Sequence, residues 1–313
     1  MENYSPLRYP GGKSALYPTI SSIIKSNNLD HCTYVEPFAG GANIAWSLLI
    51  DGVVDYIIIN DADIAVYSFW RAIIESTPWF IDKVKNVPVT VEEWHKQRAI
   101  LRGAKKYSKE LGFATFFLNR TNRSGILEAG PIGGYDQSGT YKIDCRFNKS
   151  ELIERIRRIA SRKKDIRLYR KDALKLIDVI QKEYQNASAS VLFYFDPPYF
   201  YKASSLYMNH YKDESHRLVS EKIKGIENIR WIVSYDNVPK IKELYSDCDK
   251  KEYSFKHTAH STRVGQEILF FSSNLKKIDL EDKNPTNFKL RKYKTGNVIV
   301  YREPNKKCNE DQF

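Results

Sequence analysis

Four consecutive residues, Asp196-Pro197-Pro198-Tyr199, combine groups suited to holding a flat, amine-bearing ring. The Asp196 carboxylate and the Pro197 carbonyl oxygen accept hydrogen bonds, and proline fixes φ, so the turn is stiff. The Tyr199 ring offers a flat face on which a planar heterocycle can stack. The tetrapeptide therefore favours a site for an exocyclic amine, although the same residues also suit an ordinary turn after a strand.

The tetrapeptide follows the apolar run Val191 to Phe195, which predicts a buried strand of a parallel sheet. Ligands of such sheets bind outside the carboxyl ends of the strands. The sequence thus places Asp196 to Tyr199 where α/β proteins usually perform chemistry.

A second candidate site lies near the start of the chain. The predicted strand Thr33 to Val35 leads into the glycine-rich turn Glu36 to Asn43, and an apolar helix from Ile44 to Ile50 follows. Strand, glycine-rich turn and helix in this order are typical of nucleotide cofactor sites. The Glu36 carboxylate would repel a pyrophosphate but suits the positively charged methionine end of S-adenosylmethionine. A tight turn without a ligand is the alternative.

Two more acids follow predicted strands. Asp61 comes after the strand Asp55 to Ile59, about 20 residues beyond the glycine-rich turn, where ribose hydroxyls are commonly bound. The alternative is that Asp61 and Asp63 only cap the next helix. Asp172 likewise either caps a helix or binds the amino group of the cofactor adenine.

The N-terminal segment contains the turn Pro10-Gly11-Gly12, and Lys13 places a cation directly after it. The glycines allow a ligand to approach the backbone closely. Ser14 is expected to cap a helix from Ala15 to Lys25. An ordinary N-terminal turn is the competing interpretation.

Charge is distributed unevenly along the 313 residues. The formal net charge is +12, and the window from His95 to Lys171 holds 20 Lys and Arg against 7 Asp and Glu, a net of +13. A localised excess of this kind favours a polyanionic partner such as nucleic acid. We expect no signal peptide and no membrane span. Because the four cysteines show no C-x-x-C spacing, we also expect no metal site and reduced cytosolic thiols.

The regular alternation of strand and helix is lost between about Pro78 and Ile166, where glycines, arginines and aromatics accumulate. Such a segment suits a loop-rich nucleic-acid reader, because Arg and Asn reach base edges and Lys contacts phosphates. A solvated basic insert is the alternative. The candidate DNA-binding residues are Asn119, Arg120, Asn122, Arg123, Ser124, Lys142 and Arg146.

Three motifs together resemble the Dam-type (D12 class) adenine-N6 DNA methyltransferases: Leu7 to Lys13, Glu36 to Ala42 and Asp196 to Tyr199. The similarity extends over roughly residues 6–275, including Asn60-Asp61 and Asn119-Arg120. It departs from the family at Ala42, where a third glycine is usual. The recognition loop also lacks the pattern of the GATC-methylating members, so we do not assume GATC as the target.

The resemblance implies an α/β fold, namely a class I S-adenosylmethionine-dependent methyltransferase with a Rossmann-like doubly wound sheet. Residues 1–77 and 166–275 would form the catalytic domain, 78–165 a target-recognition insert and 276–313 an appendage or tail. Asp196, Pro197 and Tyr199 would hold a flipped adenine. The expected cofactor residues are Tyr9, Lys13, Glu36, Phe38, Gly40, Asp61, Asp172 and Asp196.

The predicted function is direct methyl transfer from S-adenosylmethionine to adenine N6 in double-stranded DNA. The expected setting is the cytoplasm, with the enzyme bacterial or phage-encoded and nucleoid-associated, and a separate cognate restriction endonuclease is a candidate partner. Two alternatives remain open. One is methylation of another amine, such as cytosine N4 or an RNA base, and the other is a catalytically silent DNA-binding protein.

Overall fold

The computed structural model describes residues 4–8, 13–187, 190–200, 213–257, 263–276, 284–287, 291–295 and 298–302. A sheet of seven strands forms the centre of the molecule. Its strands are β1 (Thr33–Glu36), β2 (Tyr56–Asn60), β3 (Ile166–Tyr169), β4 (Val191–Phe195), β5 (Arg230–Asp236), β6 (Asp249–His257) and β7 (Arg263–Phe271).

The sheet order is β3-β2-β1-β4-β5-β7-β6. Strands β1 to β5 pair in parallel, and β7 lies antiparallel between β5 and β6. The chain order reverses between β1 and β4, which pair in the register Thr33 with Val191 and Val35 with Phe193. A reversal of this kind opens a crevice at the carboxyl ends of the two strands, where ligands of doubly wound sheets bind. The predicted fold class is confirmed.

Helices cover both faces of this sheet. They are α1 (Tyr17–Ser26), α2 (Asn43–Ile50), α3 (Ile64–Glu75), α4 (Thr77–Asn86), α5 (Val91–Gly103), α6 (Lys109–Thr121), α7 (Lys149–Ser161), α8 (Ala173–Glu183), α9 (Asp213–Lys224) and α10 (Pro239–Leu244). The expected cap at Ser14 is wrong: residues Ser14–Leu16 form a 3-10 turn, and α1 starts at Tyr17 without a side-chain cap. Pro18 lies in the first turn of α1, where its missing N–H costs no hydrogen bond.

Alternate residues of the central strands face two separate hydrophobic clusters, as the period of two in a strand requires. Tyr34 and Leu192 point to the cluster that includes α1, α2 and α3. Val35 and Phe193 point to the opposite cluster, which includes Leu176 of α8 and residues of α9 and α10. Both faces of the sheet are therefore buried, which explains why the strands are apolar almost throughout.

Helices α4 to α7 lie between α3 and β3 in the chain and are built onto the outer side of α3. Phe69 of α3 stacks on Phe116 of α6, and Phe80 of α4 contacts both Phe116 and Phe113 edge to face. Gly112 of α6 lies so close to α3 that a Cβ there would meet the Ser68 carbonyl oxygen at 2.4 Å. The insert thus shares one hydrophobic cluster with the sheet face covered by α3.

The sequence from Phe288 to Tyr301 predicts a hairpin around Thr295-Gly296-Asn297. In the structure, β8 (Arg291–Thr295) and β9 (Val298–Arg302) pair antiparallel, as this prediction requires. Within the described ranges, no helix is both long and apolar enough to cross a membrane. The same part of the chain contains no cluster of His, Cys, Asp or Glu suited to a metal ion.

Candidate active site

Three acids meet at the carboxyl edge of the sheet, one from each of three adjacent parallel strands. Glu36 ends β1, Asp61 directly follows β2 and Asp196 directly follows β4. The pairing of Glu36 with Ile59 and of Val35 with Phe193 brings these strand ends level with one another. Residues separated by up to 160 positions in the chain are thereby assembled around one crevice.

Asp196 lies at the mouth of this crevice with its side chain 28% exposed. Its Oδ1 accepts a hydrogen bond of 2.8 Å from Ser234 Oγ, which in turn accepts one of 3.2 Å from the Tyr194 hydroxyl. Desolvation raises the pKa of Asp196 to about 6, although Lys13, 3.8 Å away, acts in the opposite direction. Near neutral pH the group is an ionised hydrogen-bond acceptor.

Tyr199 is buried beside Lys13, and its hydroxyl donates to Glu267 Oε1 at 2.7 Å. Lys13 Nζ donates to the same hydroxyl at 2.9 Å and lies 4.8 Å from the centre of the Tyr199 ring. Pro197 is buried, and the chain after the tetrapeptide is fixed by a hydrogen bond from the Phe200 amide to Asp236. The predicted residues Asp196, Pro197, Tyr199 and Lys13 therefore form one compact group.

Glu36 is buried at the start of the glycine-rich turn, where its Oε1 accepts a 3.2 Å hydrogen bond from the Ala45 amide in the first turn of α2. The Tyr34 hydroxyl lies near this carboxyl, but the two groups do not meet the geometric criteria of a hydrogen bond. Burial raises the pKa of Glu36 to about 8, and the neighbouring charge of Asp196 adds to that rise. A buried acid of this kind is stabilised as a carboxylate when a cation binds next to it.

Asp61 binds the glycine-rich turn directly. Its Oδ2 accepts from the Gly40 amide at 3.0 Å and its Oδ1 from the Asp63 amide at 2.9 Å. Burial and the charge of Asp63 raise the pKa of Asp61 to about 7. Asp63 is the cap of α3, accepting from the Ala65 amide at 2.7 Å, so the two aspartates have different roles.

The turn itself depends on left-handed backbone at Gly40 and Ala42, both with φ of +47°. The Gly40 carbonyl oxygen accepts a 2.8 Å hydrogen bond from Trp70 Nε1, which fixes the turn against α3. Phe38 is half-buried against the cluster that contains α8. The turn from Glu36 to Ala42 thus forms a cradle, with the buried Glu36 and the half-buried Asp61 beside it.

Asn60 was not among the predicted site residues, although it connects three strand ends. Its Nδ2 donates to the carbonyl oxygens of Pro37 and Lys171 at 2.9 and 3.0 Å, and its Oδ1 accepts from the Lys171 amide at 2.8 Å. The sequence offered one signal, a buried amide at the end of an apolar strand, which requires polar partners. Asn60 therefore holds the loops after β1 and β3 in fixed positions.

Comparison with protein families identifies the family of the chain. The family model described as D12 class N6 adenine-specific DNA methyltransferase matches residues 9–263. The chain belongs to this family. It is an S-adenosylmethionine-dependent DNA methyltransferase that acts on adenine N6, and the prediction of its family, fold and enzyme class is confirmed.

Two further comparisons add little to this result. The chain resembles the solved rRNA methyltransferase aviRa from Streptomyces viridochromogenes at 10% identity, over 82% of this chain and 85% of that chain, with a TM-score of 0.33. At this TM-score the likeness supports no argument about substrate. A search of curated proteins gave no match.

Of two further expected cofactor residues of the methyltransferase, the structure describes Asp172 but not Tyr9. Asp172 is exposed and caps α8, accepting from the amides of Leu174 and Lys175 at 3.0 and 3.3 Å, as its alternative interpretation predicted. Tyr9 lies outside the described residues, as does most of a lid expected between Ser204 and His216. Contact between either residue and the cofactor stays a prediction.

Three of the predicted DNA-binding residues of the methyltransferase are buried. Asn119 bonds both ways with the Arg8 backbone, accepting from its amide at 2.7 Å and donating to its carbonyl oxygen at 3.0 Å. Asn122 accepts from Trp94 Nε1 at 2.6 Å and donates to two loop carbonyl oxygens. Arg120 Nε donates to the Pro6 carbonyl oxygen at 2.6 Å, and burial lowers the pKa of this arginine to about 9. These side chains connect α6 and the loop that follows it with the N-terminal segment.

The remaining four candidates face solvent more openly. Arg123, Lys142 and Arg146 are exposed, and Ser124 is half-buried with a left-handed φ of +55°. Lys142 donates to the Gln137 carbonyl oxygen at 2.6 Å. Tyr135 and Tyr141, both more than 60% exposed, lie in the same loop region. Exposed cations interleaved with exposed aromatics form a surface suited to a nucleic acid.

Proposed function

We propose that Asp196, the Pro197 carbonyl oxygen and Tyr199 hold an adenine rotated out of the DNA duplex. Extruding a base costs a few kcal/mol of stacking and pairing, and stacking on Tyr199 offsets part of this cost. The observation that carries the proposal is the position of Asp196 at the carboxyl end of β4, where Ser234 orients one carboxylate oxygen. Among the described residues, no donor reaches the other oxygen, Oδ2, which is left to accept from the N6 amino group.

The chemistry requires the N6 lone pair, which in free adenine is delocalised into the ring. Hydrogen bonds from the amino group to Asp196 and to the Pro197 carbonyl oxygen localise that pair on nitrogen. S-adenosylmethionine supplies a methyl group on a positively charged sulfur. With S-adenosylmethionine bound, its methyl group would pass from sulfur to N6, and the extra N6 proton would leave to Asp196 or to water. Catalysis then rests on positioning and electrostatics, without a covalent intermediate.

The cradle at the glycine-rich turn fits the cofactor chemically. We assign Glu36 to the cationic methionine end, because an ammonium group stabilises a buried carboxylate. Asp61 is assigned to the ribose hydroxyls, since a carboxylate accepts both, and Phe38 and Gly40 line the same turn. Lys13 is assigned to the junction with the base site. Tyr9 and Asp172 remain weaker candidates.

Target recognition is assigned to the insert, residues 78–165, while 1–77 with 166–275 carries catalysis and 276–313 is an appendage. Arg123, Ser124, Lys142 and Arg146 are proposed to touch DNA, supported by their exposure and the local positive charge. Asn119, Arg120 and Asn122 are proposed to position the loop that carries them, because their polar groups are already bonded within the protein.

The cellular setting follows from the substrate. We propose that the enzyme works in the cytoplasm of a bacterium, encoded by the cell or by a phage, on nucleoid DNA. A separate restriction endonuclease with the same recognition sequence is the expected partner. Loss of viability when such a nuclease is expressed without the methyltransferase would identify the pair.

The deciding experiment is long-read sequencing of plasmid DNA from cells that lack other adenine methylation and express either the wild-type chain or Asp196→Ala. We expect N6-methyladenine in one sequence motif with the wild type and none with the variant. Modified cytosine, or no modified DNA in cells whose purified enzyme binds S-adenosylmethionine, would overturn the adenine assignment.

A further inference from the structure

Glu267, in strand β7, is a buried acid at the centre of the catalytic group that no motif assigned to the site. It is 2% exposed, and three side chains donate to its two carboxylate oxygens. The Tyr199 hydroxyl and Lys13 Nζ both donate to Oε1, and the Tyr253 hydroxyl donates to Oε2. A buried carboxylate with three donors is held firmly in one orientation.

Two carboxylates compete for the single ammonium group of Lys13. Lys13 Nζ is in direct contact with Glu267 but lies 3.8 Å from Asp196 Oδ1. It also donates to the Tyr199 hydroxyl at 2.9 Å. Asp196 therefore keeps Ser234 as its one close donor among the described residues.

This division of partners matters because Asp196 must accept a hydrogen bond from the substrate amine. An ammonium group in direct contact with Asp196 would occupy the same oxygen lone pairs and weaken their pull on the N6 protons. Glu267 holds the Lys13 ammonium group in direct contact with itself, 3.8 Å from Asp196 Oδ1. The same carboxylate fixes the Tyr199 hydroxyl, and with it the plane of the ring on which the base would stack.

We propose that Glu267 is a positioning residue for methyl transfer: it binds Lys13 and Tyr199 so that Asp196 stays open to the substrate amine. The inference rests on the role proposed above for Asp196. A purely structural role, in which Glu267 only neutralises a buried lysine, is the competing explanation. Reaction rate and its pH dependence distinguish the two.

The groups that face Asp196 come from every neighbouring element. They are Lys13 before α1, Glu36 of β1, Tyr194 of β4, Ser234 of β5, Tyr253 of β6 and Glu267 of β7. The charge of Glu267 raises the pKa of Asp196, and the charge of Lys13 lowers it. Replacing Glu267 by glutamine removes the first influence and frees Lys13 to move closer, so both changes lower the pKa of Asp196.

The test compares Glu267→Gln with wild type in single-turnover methylation of duplex DNA between pH 5 and 8, with the unfolding temperature as a check on folding. Glu252→Gln, an exposed acid of the neighbouring strand β6 bound to Lys242, is the matched control. For Glu267→Gln we expect a plateau rate at least about tenfold lower, KM values for cofactor and DNA within about threefold, and an acidic midpoint shifted to lower pH. The control should match wild type in all three.

A second variant keeps the inference testable if Glu267→Gln does not fold. Glu267→Asp retains the charge but shortens the reach to Lys13 and Tyr199, so the plateau rate should fall while the acidic midpoint stays near that of wild type. An unchanged plateau rate in either folded variant, or a loss confined to KM with an unmoved midpoint in Glu267→Gln, would overturn the inference. Asp196→Ala, measured in parallel, separates the two proposals: if it stays active, the proposed role of Asp196 fails as well.

Discussion

At the scale of single residues, the site contains three acids that are buried or half-buried. Burial raises the pKa of Glu36 to about 8, of Asp61 to about 7 and of Asp196 to about 6. Each of these groups costs stability when it ionises in the free enzyme. A cationic cofactor, or an amine that donates hydrogen bonds, offsets this cost when it binds.

For Glu36, the cost of ionising a buried carboxyl group can be measured as a pH dependence of the free energy of unfolding. A carboxyl group whose pKa is higher in the folded than in the unfolded state stabilises the fold fully below pH 4.5, and this contribution is lost as pH rises to about 8. The loss for this one group is at most roughly 5 kcal/mol. We expect the urea midpoint of Glu36→Gln to fall less than that of the wild type between pH 5 and 8, because the variant loses the contribution of Glu36 and keeps those of Asp61 and Asp196. Glu75→Gln, an exposed control, should follow the wild type.

Asp61 allows the same argument to be tested by binding. Because an ionised carboxylate is the stronger acceptor for ribose hydroxyls, affinity for S-adenosylmethionine should rise as pH increases through about 7. In calorimetric titrations, Asp61→Asn should bind about tenfold more weakly at pH 8 and lose most of this pH dependence. Asp63→Asn is the control for affinity at pH 8, since asparagine also caps helices. Because the charge of Asp63 raises the pKa of Asp61, this variant should keep the pH dependence but show it at lower pH. Equal affinity of Asp61→Asn and wild type at pH 8 would remove Asp61 from the ribose site.

At the scale of elements, the N-terminal segment 4–8 connects the insert with the catalytic site. Tyr4 is bound by Asp51 at the end of α2, and Pro6 and Arg8 are held by Arg120 and Asn119 of α6. Residues 4–8 precede Lys13 by only a few positions. We therefore expect the position of Lys13 to depend on how α6 holds this segment.

Gly125 tests this connection, because its φ is +74° and a Cβ there would meet the Arg8 carbonyl oxygen at 2.3 Å. Gly52 has a similar φ of +71° with nothing within 4 Å, so it reports backbone strain alone. We expect Gly52→Ala to cost about 1 kcal/mol in the free energy of unfolding and leave methylation intact. Gly125→Ala should cost more and reduce the methylation rate at least about tenfold. Similar rates for the two folded variants would argue against the connection.

At the scale of the whole molecule, the excess of positive over negative charge comes from the segment from His95 to Lys171. The rest of the chain is nearly neutral, so the electrostatic field is expected to guide DNA to the insert. This arrangement would separate attraction of the DNA from the chemistry that we propose for the edge of the sheet.

Salt dependence of DNA binding measures this field. For each phosphate contact removed, the slope of log K against log salt should fall by about 1 in magnitude. We expect this for Lys142→Ala and Arg146→Ala, with weaker binding to all sequences alike. Lys250→Ala, which removes an exposed charge from β6 outside the basic segment, is the control. If all three variants shift the slope equally, net charge rather than this surface governs binding.

Local patterns determined much of this protein. Apolar runs that end in an acid predicted β1, β2 and β4 and the residues at their ends. This was possible because strands and turns depend on residues that are neighbours in the sequence. The family resemblance rests on short motifs of the same local kind. The residue pattern from His95 to Leu118 predicts a helix. The structure has helix there too, but divided into α5 and α6 at residues 104–108, where Ser108 caps the second helix.

Only the tertiary structure decided which polar side chains form their hydrogen bonds within the protein. Asn119, Arg120 and Asn122 look like base-reading side chains in the sequence, yet their partners are backbone atoms brought close from residues 6–8 and from the loop that follows. Glu267 looks like an acid in a surface strand, yet pairing of β7 beside β5 buries it against Lys13 and Tyr199. Hydrogen bonds and desolvation depend on distance in space, and for these residues the partners lie up to about 250 positions away in the chain.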